Sequence, residues 1–165
     1  MGQRLYFAYG SNLSWRRISA PDRAPSATLV GRAELGCHVL RLHKRGRDGS
    51  AKCDAFATGN EEDRVLGVVY RINAADEAAL DRVEGLGVGY DKVSVTVKTE
   101  TAASAVSSMQ AMTYVARPSH IDPTLMPFDW YMKLVLEGAR EHGLDEEYVE
   151  LLDRIPTGAQ ISPMG

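Results

Sequence analysis

The order of its periodic segments constrains this chain more than any other feature. Strand patterns fill most of the sequence from residue 5 to residue 116, whereas the longer helical patterns come after residue 127. Few of the strands are therefore joined by helices. This order predicts an α+β fold, a small mixed β-barrel of about six strands with flanking helices. At this length, with no internal repeat and no linker, we expect a single domain spanning residues 1–165.

The strands are predicted from apolar runs and from alternation of apolar and polar residues. In the clearest of them, Leu66, Val68, Tyr70 and Ile72 share one face of the strand. The first strand is apolar on both faces, so we expect it to be central and buried. The predicted strands are residues 5–9, 28–35, 37–43, 65–72, 93–97 and 110–116, with loops at 46–50 and 103–108.

Three helices have recognisable ends in the sequence. A helix over residues 73–83 has Asn73 as its N-cap and Gly85 at the C′ position. A second helix runs from Pro127 to His142, and a third begins after Asp145, whose side chain can cap it.

The turn after the first strand is the first candidate for chemistry. The sequence Gly10-Ser11-Asn12 ends a strand and leads into a short helix over residues 13–18, which Ser11 or Asn12 can cap. Such a turn leaves backbone N–H groups unpaired, and these groups can bind an anion or an oxyanion. Most turns of this composition are only turns and caps, so the pattern alone does not establish a site.

Glu84 is the second candidate. It lies at the C-terminal end of the helix over 73–83, where the negative end of the helix dipole raises a carboxyl pKa. A glycine-rich loop follows, and if it folds over the carboxylate, burial raises the pKa further. By helix geometry alone, a solvated glutamate is the more common outcome.

Charge and cysteine content set the expected surroundings. The formal net charge of −3 gives no support to a nucleic-acid partner. We interpret the basic cluster of Arg41, Lys44, Arg45 and Arg47 as a solvated loop because it lies among Gly and Ser residues. The two cysteines, at positions 37 and 53, form no metal-binding pair and are expected to be buried free thiols of a reducing compartment.

No membrane association, metal or cofactor is expected. The chain has no apolar run of membrane-spanning length and no signal-peptide hydrophobic region, so we expect a cytoplasmic protein. The four histidines are scattered and do not have metal-ligand spacing. The loop at 85–90 follows a helix and precedes a strand, which is the reverse of the dinucleotide-binding order. The sequence leaves a homodimer open.

Four segments together resemble the γ-glutamylcyclotransferase family, including its AIG2-like members. Residues 5–13 (Leu-Tyr-Phe-Ala-Tyr-Gly-Ser-Asn-Leu) look like its N-terminal signature, and residues 65–70 resemble its central strand. Residues 80–90 resemble the segment that bears its catalytic glutamate, and residues 131–148 look like its C-terminal helices. The likeness covers about residues 4 to 156, and four motifs in the same order are far more specific than any one of them.

The resemblance implies a cyclotransferase fold and an intramolecular reaction on a small-molecule γ-glutamyl substrate. In that reaction the α-amine attacks the γ-carbonyl, which gives 5-oxoproline and releases an amino acid or amine. By resemblance, Glu84 is the proton acceptor. The substrate-binding residues that the resemblance implies are Tyr6, Phe7, Ala8, Tyr9, Gly10, Ser11, Asn12, Leu13, Tyr90 and Tyr131.

The chemistry requires an unusual Glu84. An α-amino group titrates near 8 and a free glutamate near 4.3, and this difference of roughly 3.5 in pKa corresponds to about 5 kcal/mol. We therefore expect a raised pKa for Glu84. The Gly10–Asn12 amides would hold either the γ-carbonyl oxygen or the α-carboxylate.

Two other interpretations stay open. The chain could remove a γ-glutamyl group from an amine or a specialised metabolite, in which case Arg41, Lys44, Arg45 or Arg47 could recruit an acidic leaving portion. It could also be a non-catalytic protein that binds a small ligand in the same pocket.

Overall fold

The computed structural model describes residues 2–100 and 105–160, which form seven strands, four α-helices and two short 3-10 helices. The strands are β1 (Gln3–Ala8), β2 (Thr28–Gly36), β3 (His38–Arg45), β4 (Ala51–Ala57), β5 (Arg64–Asn73), β6 (Tyr90–Glu100) and β7 (Val106–Ala116). The α-helices are α1 (Trp15–Ile18), α2 (Ala74–Glu84), α3 (Asp129–Glu141) and α4 (Glu146–Asp153). The 3-10 helices are Ser11–Leu13 and Pro118–His120.

Five of these strands close into a barrel in the order β1-β5-β2-β6-β7. All neighbours are antiparallel except β1 and β7, which meet in parallel at Tyr6 and Met112. The strands β3 and β4 form a separate hairpin. The predicted α+β fold with a small mixed barrel is therefore confirmed, with five strands in the described barrel and two in the hairpin.

The barrel interior holds most of the core. Strand β5 lies between β1 and β2, and its residues from Val65 to Tyr70 are all buried because both of its faces are covered. This explains why β5 gave the clearest strand pattern. The apolar stripe of α3 packs against the same core through Met132, Val135 and Ala139.

Helix α2 has the predicted ends. The side chain of Asn73 accepts a hydrogen bond of 2.8 Å from the backbone N–H of Asp76. Gly85 adopts a left-handed conformation with φ of 68°, which suits glycine and ends the helix directly after Glu84. Asp145 caps α4 as expected, accepting from the backbone N–H of Glu147.

The first turn differs from the prediction. Residues Ser11–Leu13 form a 3-10 helix, and the α-helix begins only at Trp15, with Ser14 as an N-cap that makes no side-chain capping bond. The predicted caps Ser11 and Asn12 are wrong. The Ser11 hydroxyl accepts from the guanidinium of Arg17 in α1, and the Asn12 side chain contacts Tyr6, Arg23 and Glu84.

Three further expectations need correction. Strand β4 was not predicted. Cys37 is half-buried in the turn before β3, with φ of 61°, and so is not the buried thiol expected. The predicted loop at 103–108 lies partly outside the described residues, and β7 already begins at Val106.

Helix α3 positions the Gly-Ser-Asn turn. Gly138 of α3 lies directly on the turn, since a Cβ there would be 2.2 Å from the carbonyl carbon of Leu13 and 2.4 Å from the nitrogen of Ser14. Glu137 of the same helix accepts a hydrogen bond of 2.6 Å from Ser14 Oγ. Among the described residues, no helix has both the length and the apolar character needed to cross a membrane.

Candidate functional site

Two adjoining cavities lie between the mouth of the barrel, the β3–β4 hairpin and α3. The inner recess has a volume of about 40 Å³ and the outer cavity about 360 Å³. They share four wall residues, which are Ser11, Glu84, Tyr90 and Tyr131. The recess is also lined by Tyr6, Tyr9, Gly10, Asn12, Cys53, Thr113 and Tyr114.

Glu84 faces the Gly-Ser-Asn turn across the recess. Its Oε1 accepts a hydrogen bond of 3.1 Å from Asn12 Nδ2, and the same amide group donates to the hydroxyl of Tyr6 at 3.0 Å. The amide oxygen of Asn12 accepts from the Arg23 guanidinium at 3.0 Å. Asn12 therefore joins the carboxylate, a tyrosine and an arginine in one network.

Opposing effects set the pKa of Glu84. Burial is the largest and raises the pKa above its ordinary value, because a carboxylate loses its hydration there. Arg23, Lys44 and the Asn12 hydrogen bond oppose this rise because they stabilise the charged carboxylate. The Arg23 guanidinium lies 3.7 Å from Glu84 Oε1. The net direction is upward, as the sequence predicted, but the nearby cations that limit it were not foreseen.

The backbone of Cys53 holds two tyrosines of the site. Its N–H donates to the hydroxyl of Tyr131 at 3.0 Å, and its carbonyl accepts from the hydroxyl of Tyr90 at 2.6 Å. Because the Tyr131 oxygen serves as an acceptor in this contact, its own proton can be donated to another group. Burial raises the pKa of both hydroxyls, which keeps them protonated.

Gly10 brings the backbone of the turn close to these groups. A Cβ at this position would lie 3.2 Å from Cys53 Cβ and 3.4 Å from the Tyr131 hydroxyl, so a side chain would crowd the recess. Within residues 2–100 and 105–160, the backbone N–H groups of Gly10, Ser11 and Asn12 donate to no other protein group. These amides are suited to an anionic oxygen.

The outer cavity is strongly basic. Among the described residues, its wall carries six cationic side chains but only two carboxylates, Asp48 and Glu84. The six cations are Arg17, Arg23, Lys44, Arg45, Arg47 and Lys52. Two of these positions, Lys44 and Lys52, face each other across the β3–β4 hairpin. The indole ring of Trp130 also lines the cavity, with the Lys52 ammonium 4.5 Å from its centroid.

The structure brings most of the predicted site residues together. Eight of them line the recess, which are Tyr6, Tyr9, Gly10, Ser11, Asn12, Glu84, Tyr90 and Tyr131. Phe7, Ala8 and Leu13 are fully buried in the core, and none of them lines either cavity.

Sequence reasoning missed several residues of the site. The interpretation of the basic cluster as a solvated loop is wrong, because Arg41, Lys44 and Arg45 belong to strand β3. Lys44 is only 7% exposed, and Lys44, Arg45 and Arg47 line the outer cavity, whereas Arg41 is exposed as expected. Arg17, Arg23 and Cys53 gave no signal in the sequence. Arg17 and Arg23 bind Ser11 and Asn12, which are 6 and 11 positions away, whereas Cys53 contacts Tyr131 across 78 positions. In the described part of the chain, no group of three His, Cys, Asp or Glu residues could hold a metal ion.

Comparisons with known proteins agree on one family. A sequence profile described as the AIG2-like family matches residues 64–152. A protein from Bos taurus named gamma-glutamylcyclotransferase is 35% identical over 156 residues, which cover 92% of this chain and 78% of the relative. The Homo sapiens protein of the same name is 34% identical with the same coverage. A solved structure named gamma-glutamyl cyclotransferase superposes with a TM-score of 0.84 at 28% identity, covering 99% of this chain and 94% of the other.

Proposed function

This chain belongs to the γ-glutamylcyclotransferase family, and we propose that it converts a γ-glutamyl amino acid or amine into 5-oxoproline and the free amino acid or amine. The observation that carries the proposal is the placement of Glu84 in one recess with the Gly-Ser-Asn turn, joined by the 3.1 Å contact to Asn12. The curated relatives of similar sequence, which bear the family's name, support the same activity.

The reaction is a transfer within one molecule. The α-ammonium group first gives a proton to Glu84. The free amine then attacks the γ-carbonyl carbon, so that a new C–N bond forms and the carbonyl oxygen becomes an oxyanion. When the oxyanion collapses, the original amide C–N bond breaks, and Glu84 returns its proton to the leaving nitrogen. The nitrogen of the new ring still carries two hydrogens, and it gives one of them to the Glu84 carboxylate, which passes that proton to the released amine or to solvent. Because both reacting groups already belong to the same substrate, much of the enzyme's contribution is to hold the amine and the γ-carbonyl in the right orientation.

Glu84 is suited to this exchange for a physical reason. Its pKa is raised by burial and therefore lies closer to that of the amine than a solvated carboxyl would. Arg23 and Asn12 keep the carboxylate from being too strongly disfavoured, since both stabilise its charged form. The side chain can thus hold the proton in one step and release it in the next.

The turn and the tyrosines would position the substrate. The N–H groups of Gly10–Asn12 would bind either the developing oxyanion or the α-carboxylate, both of which are anionic oxygens. Tyr131 would donate its hydroxyl proton to a substrate oxygen, and Tyr90 would supply a wall of the pocket. A cytoplasmic location stays a sequence-based prediction, and the sequence leaves a homodimer open.

Two alternatives make different predictions. A non-catalytic binding protein would retain 5-oxoproline but form none, and this alternative is disfavoured by the buried carboxylate that faces the turn. A cyclotransferase acting on a specialised metabolite would leave simple γ-glutamyl amino acids unchanged.

The products of γ-glutamyl-alanine test the proposal. Purified protein should release alanine and 5-oxoproline in equal amounts, measured together by chromatography with mass detection. Release of free glutamate in place of 5-oxoproline would show hydrolysis, and it would refute the cyclisation. A small panel that includes γ-glutamyl amines would identify the preferred leaving group.

A further inference from the structure

Lys44 is a buried cation that forms no ion pair among the described residues, although the Glu84 and Asp48 carboxylates favour its charged form from a longer distance. The residue is only 7% exposed, yet its ammonium makes no ion pair or hydrogen bond with any side chain of residues 2–100 and 105–160. It lies 4.4 Å from the ring centroid of Tyr90, and a Cβ on Gly89 would be 2.7 Å from its Nζ. The backbone of the glycine-rich loop therefore packs against the amine at the wall of the outer cavity.

The local backbone turns this side chain inward. The register of β3 against β4 shifts between Leu42 and Lys44, which marks a β-bulge and leaves the consecutive residues His43 and Lys44 both buried. Lys44 then pairs directly with Lys52. Like charges in directly opposite positions destabilise a hairpin. Asp48 compensates the charge of Lys52 at 3.1 Å, whereas no carboxylate of the described residues lies at ion-pair distance from Lys44, so an added anion beside Lys44 would stabilise the pair.

Two more cations of the outer cavity lack an acidic partner in the described chain. Arg17 donates to the hydroxyl of Ser11 at 3.0 Å, and Arg47 donates to the backbone carbonyl of Arg82 at 3.3 Å. The remaining basic residues of the wall are already paired, through the contacts Arg23–Glu84, Arg45–Asp122 and Lys52–Asp48. We name Lys44, Arg17 and Arg47 the basic wall.

The basic wall stands in contrast to the rest of the molecule. The chain as a whole has a formal net charge of −3, but this cavity concentrates positive charge beside the recess. Burial lowers the pKa of Lys44 and of Arg17, because each charged side chain loses part of its hydration there. A bound anion would stabilise both charged forms. The geometry and the charge both point to an anionic ligand.

We propose that the basic wall binds carboxylates of the leaving group, and that the preferred substrates are γ-glutamyl derivatives of acidic amino acids. This inference rests on the proposed function, because it places the γ-glutamyl group in the recess beside Glu84 and the leaving portion in the outer cavity. A γ-glutamyl derivative of alanine carries two carboxylates, whereas that of glutamate carries three. Because the α-carboxylate of the γ-glutamyl group stays in the recess, a leaving glutamate presents two carboxylates to the three cations of the basic wall, whereas a leaving alanine presents one.

A comparison of γ-glutamyl-glutamate with γ-glutamyl-glutamine isolates the effect of charge. The two compounds have nearly the same size, and the second lacks only the side-chain carboxylate of the leaving residue. We expect kcat/KM to favour the acidic compound by about tenfold to about 100-fold, the range of one charge-assisted hydrogen bond. Equal values for the two compounds would overturn the inference.

Substitutions in the basic wall then test which cation binds the side-chain carboxylate of the leaving residue. Lys44→Met should lower the ratio of the two kcat/KM values by about tenfold. Arg41→Met is the matched control, since Arg41 is an exposed cation of the same strand outside both cavities, and it should leave the ratio unchanged. An unaltered ratio in Lys44→Met would refute the role of Lys44. If that variant does not fold, the exposed Arg47→Met provides a second test of the basic wall, in which the same fall is expected.

The two proposals fail in different ways. If neither these two compounds nor γ-glutamyl-alanine nor the γ-glutamyl amines yield 5-oxoproline, the proposed function is wrong, and the inference falls with it. If γ-glutamyl-alanine reacts and γ-glutamyl-glutamate does not, the proposed function stands and the inference is refuted. If both yield 5-oxoproline at equal rates, the cyclotransferase activity stands and only the selectivity is refuted.

Discussion

Gly138 offers a test of how α3 positions the recess. It lies inside the helix, where replacing glycine by alanine ordinarily stabilises a protein by roughly 0.5–1 kcal/mol. Here the added Cβ would lie 2.2 Å from the Leu13 carbonyl carbon and 2.4 Å from the Ser14 nitrogen. Both are backbone atoms, and so neither can rotate away. The helix and the 3-10 turn must therefore separate.

The geometry gives the size of the effect. Ordinary van der Waals contact requires about 3.5 Å, so Gly138→Ala must move the turn by about 1 Å relative to α3. Overpacking of this kind typically destabilises a fold by about 1–3 kcal/mol, which outweighs the gain in helix propensity. Because the turn carries Gly10–Asn12, a displacement of about 1 Å should lower kcat/KM by as much as about 100-fold.

Urea denaturation and 5-oxoproline release measure the two effects. Gly36→Ala is the control, because no heavy atom of the part of the chain that the structure describes lies within 4 Å of a Cβ built at that position. It should alter the free energy of unfolding by no more than about 0.5 kcal/mol. A Gly138→Ala protein that is as stable and as active as the wild type would refute the packing of α3 on the turn as the source of the site's geometry.

Three further predictions concern charged groups. Arg23→Met should raise the pKa of Glu84, so the acidic limb of the kcat/KM profile should move to higher pH; an unmoved limb would contradict the ion pair. Burial raises the pKa of Glu84 above its value in the unfolded chain, so the folded state binds more protons than the unfolded state. The ionised Glu84 side chain therefore destabilises the folded state. Glu84→Gln should therefore be more stable than the wild type at about pH 8 and gain less at about pH 4, and urea unfolding that shows equal gains would exclude this linkage. Asp54→Ala removes the partner of His43 at 2.7 Å and of the Ala116 N–H at 2.8 Å. Its free energy of unfolding should fall by about 3 kcal/mol in denaturant titrations, and a fall below about 1 kcal/mol would argue against this buried network.

Features that depend on neighbouring residues could be predicted from the sequence. The ends of α2 follow from Asn73 and Gly85, and they place Glu84 at the last position of the helix. The shared apolar face of Leu66, Val68, Tyr70 and Ile72 identified β5 as a strand, although burial of its other face was not predicted. The family resemblance then joined Glu84 with the turn, which no periodicity could have done.

Features that depend on distant contacts could not be predicted. Strand β4 escaped notice because Lys52 and Asp54 interrupt its apolar pattern, and their side chains find partners only in the folded chain. Lys44 points into the cavity because of a β-bulge that exists only once β3 pairs with β4. Asn12 looked like a helix cap, but its contact with Glu84 spans 72 positions of the sequence.

The role of Glu84 is tested most directly by Glu84→Gln assayed for 5-oxoproline release from γ-glutamyl-alanine. Glu77→Gln is the matched control, because Glu77 lies on the same helix, pairs with Arg4 and Lys92, and lines neither cavity. A folded Glu84→Gln protein should lose about 10²-fold to about 10⁴-fold in kcat, the usual contribution of general acid–base catalysis, while Glu77→Gln keeps wild-type turnover. Near-normal turnover in a folded Glu84→Gln protein would contradict the assignment of Glu84 as the group that moves the protons.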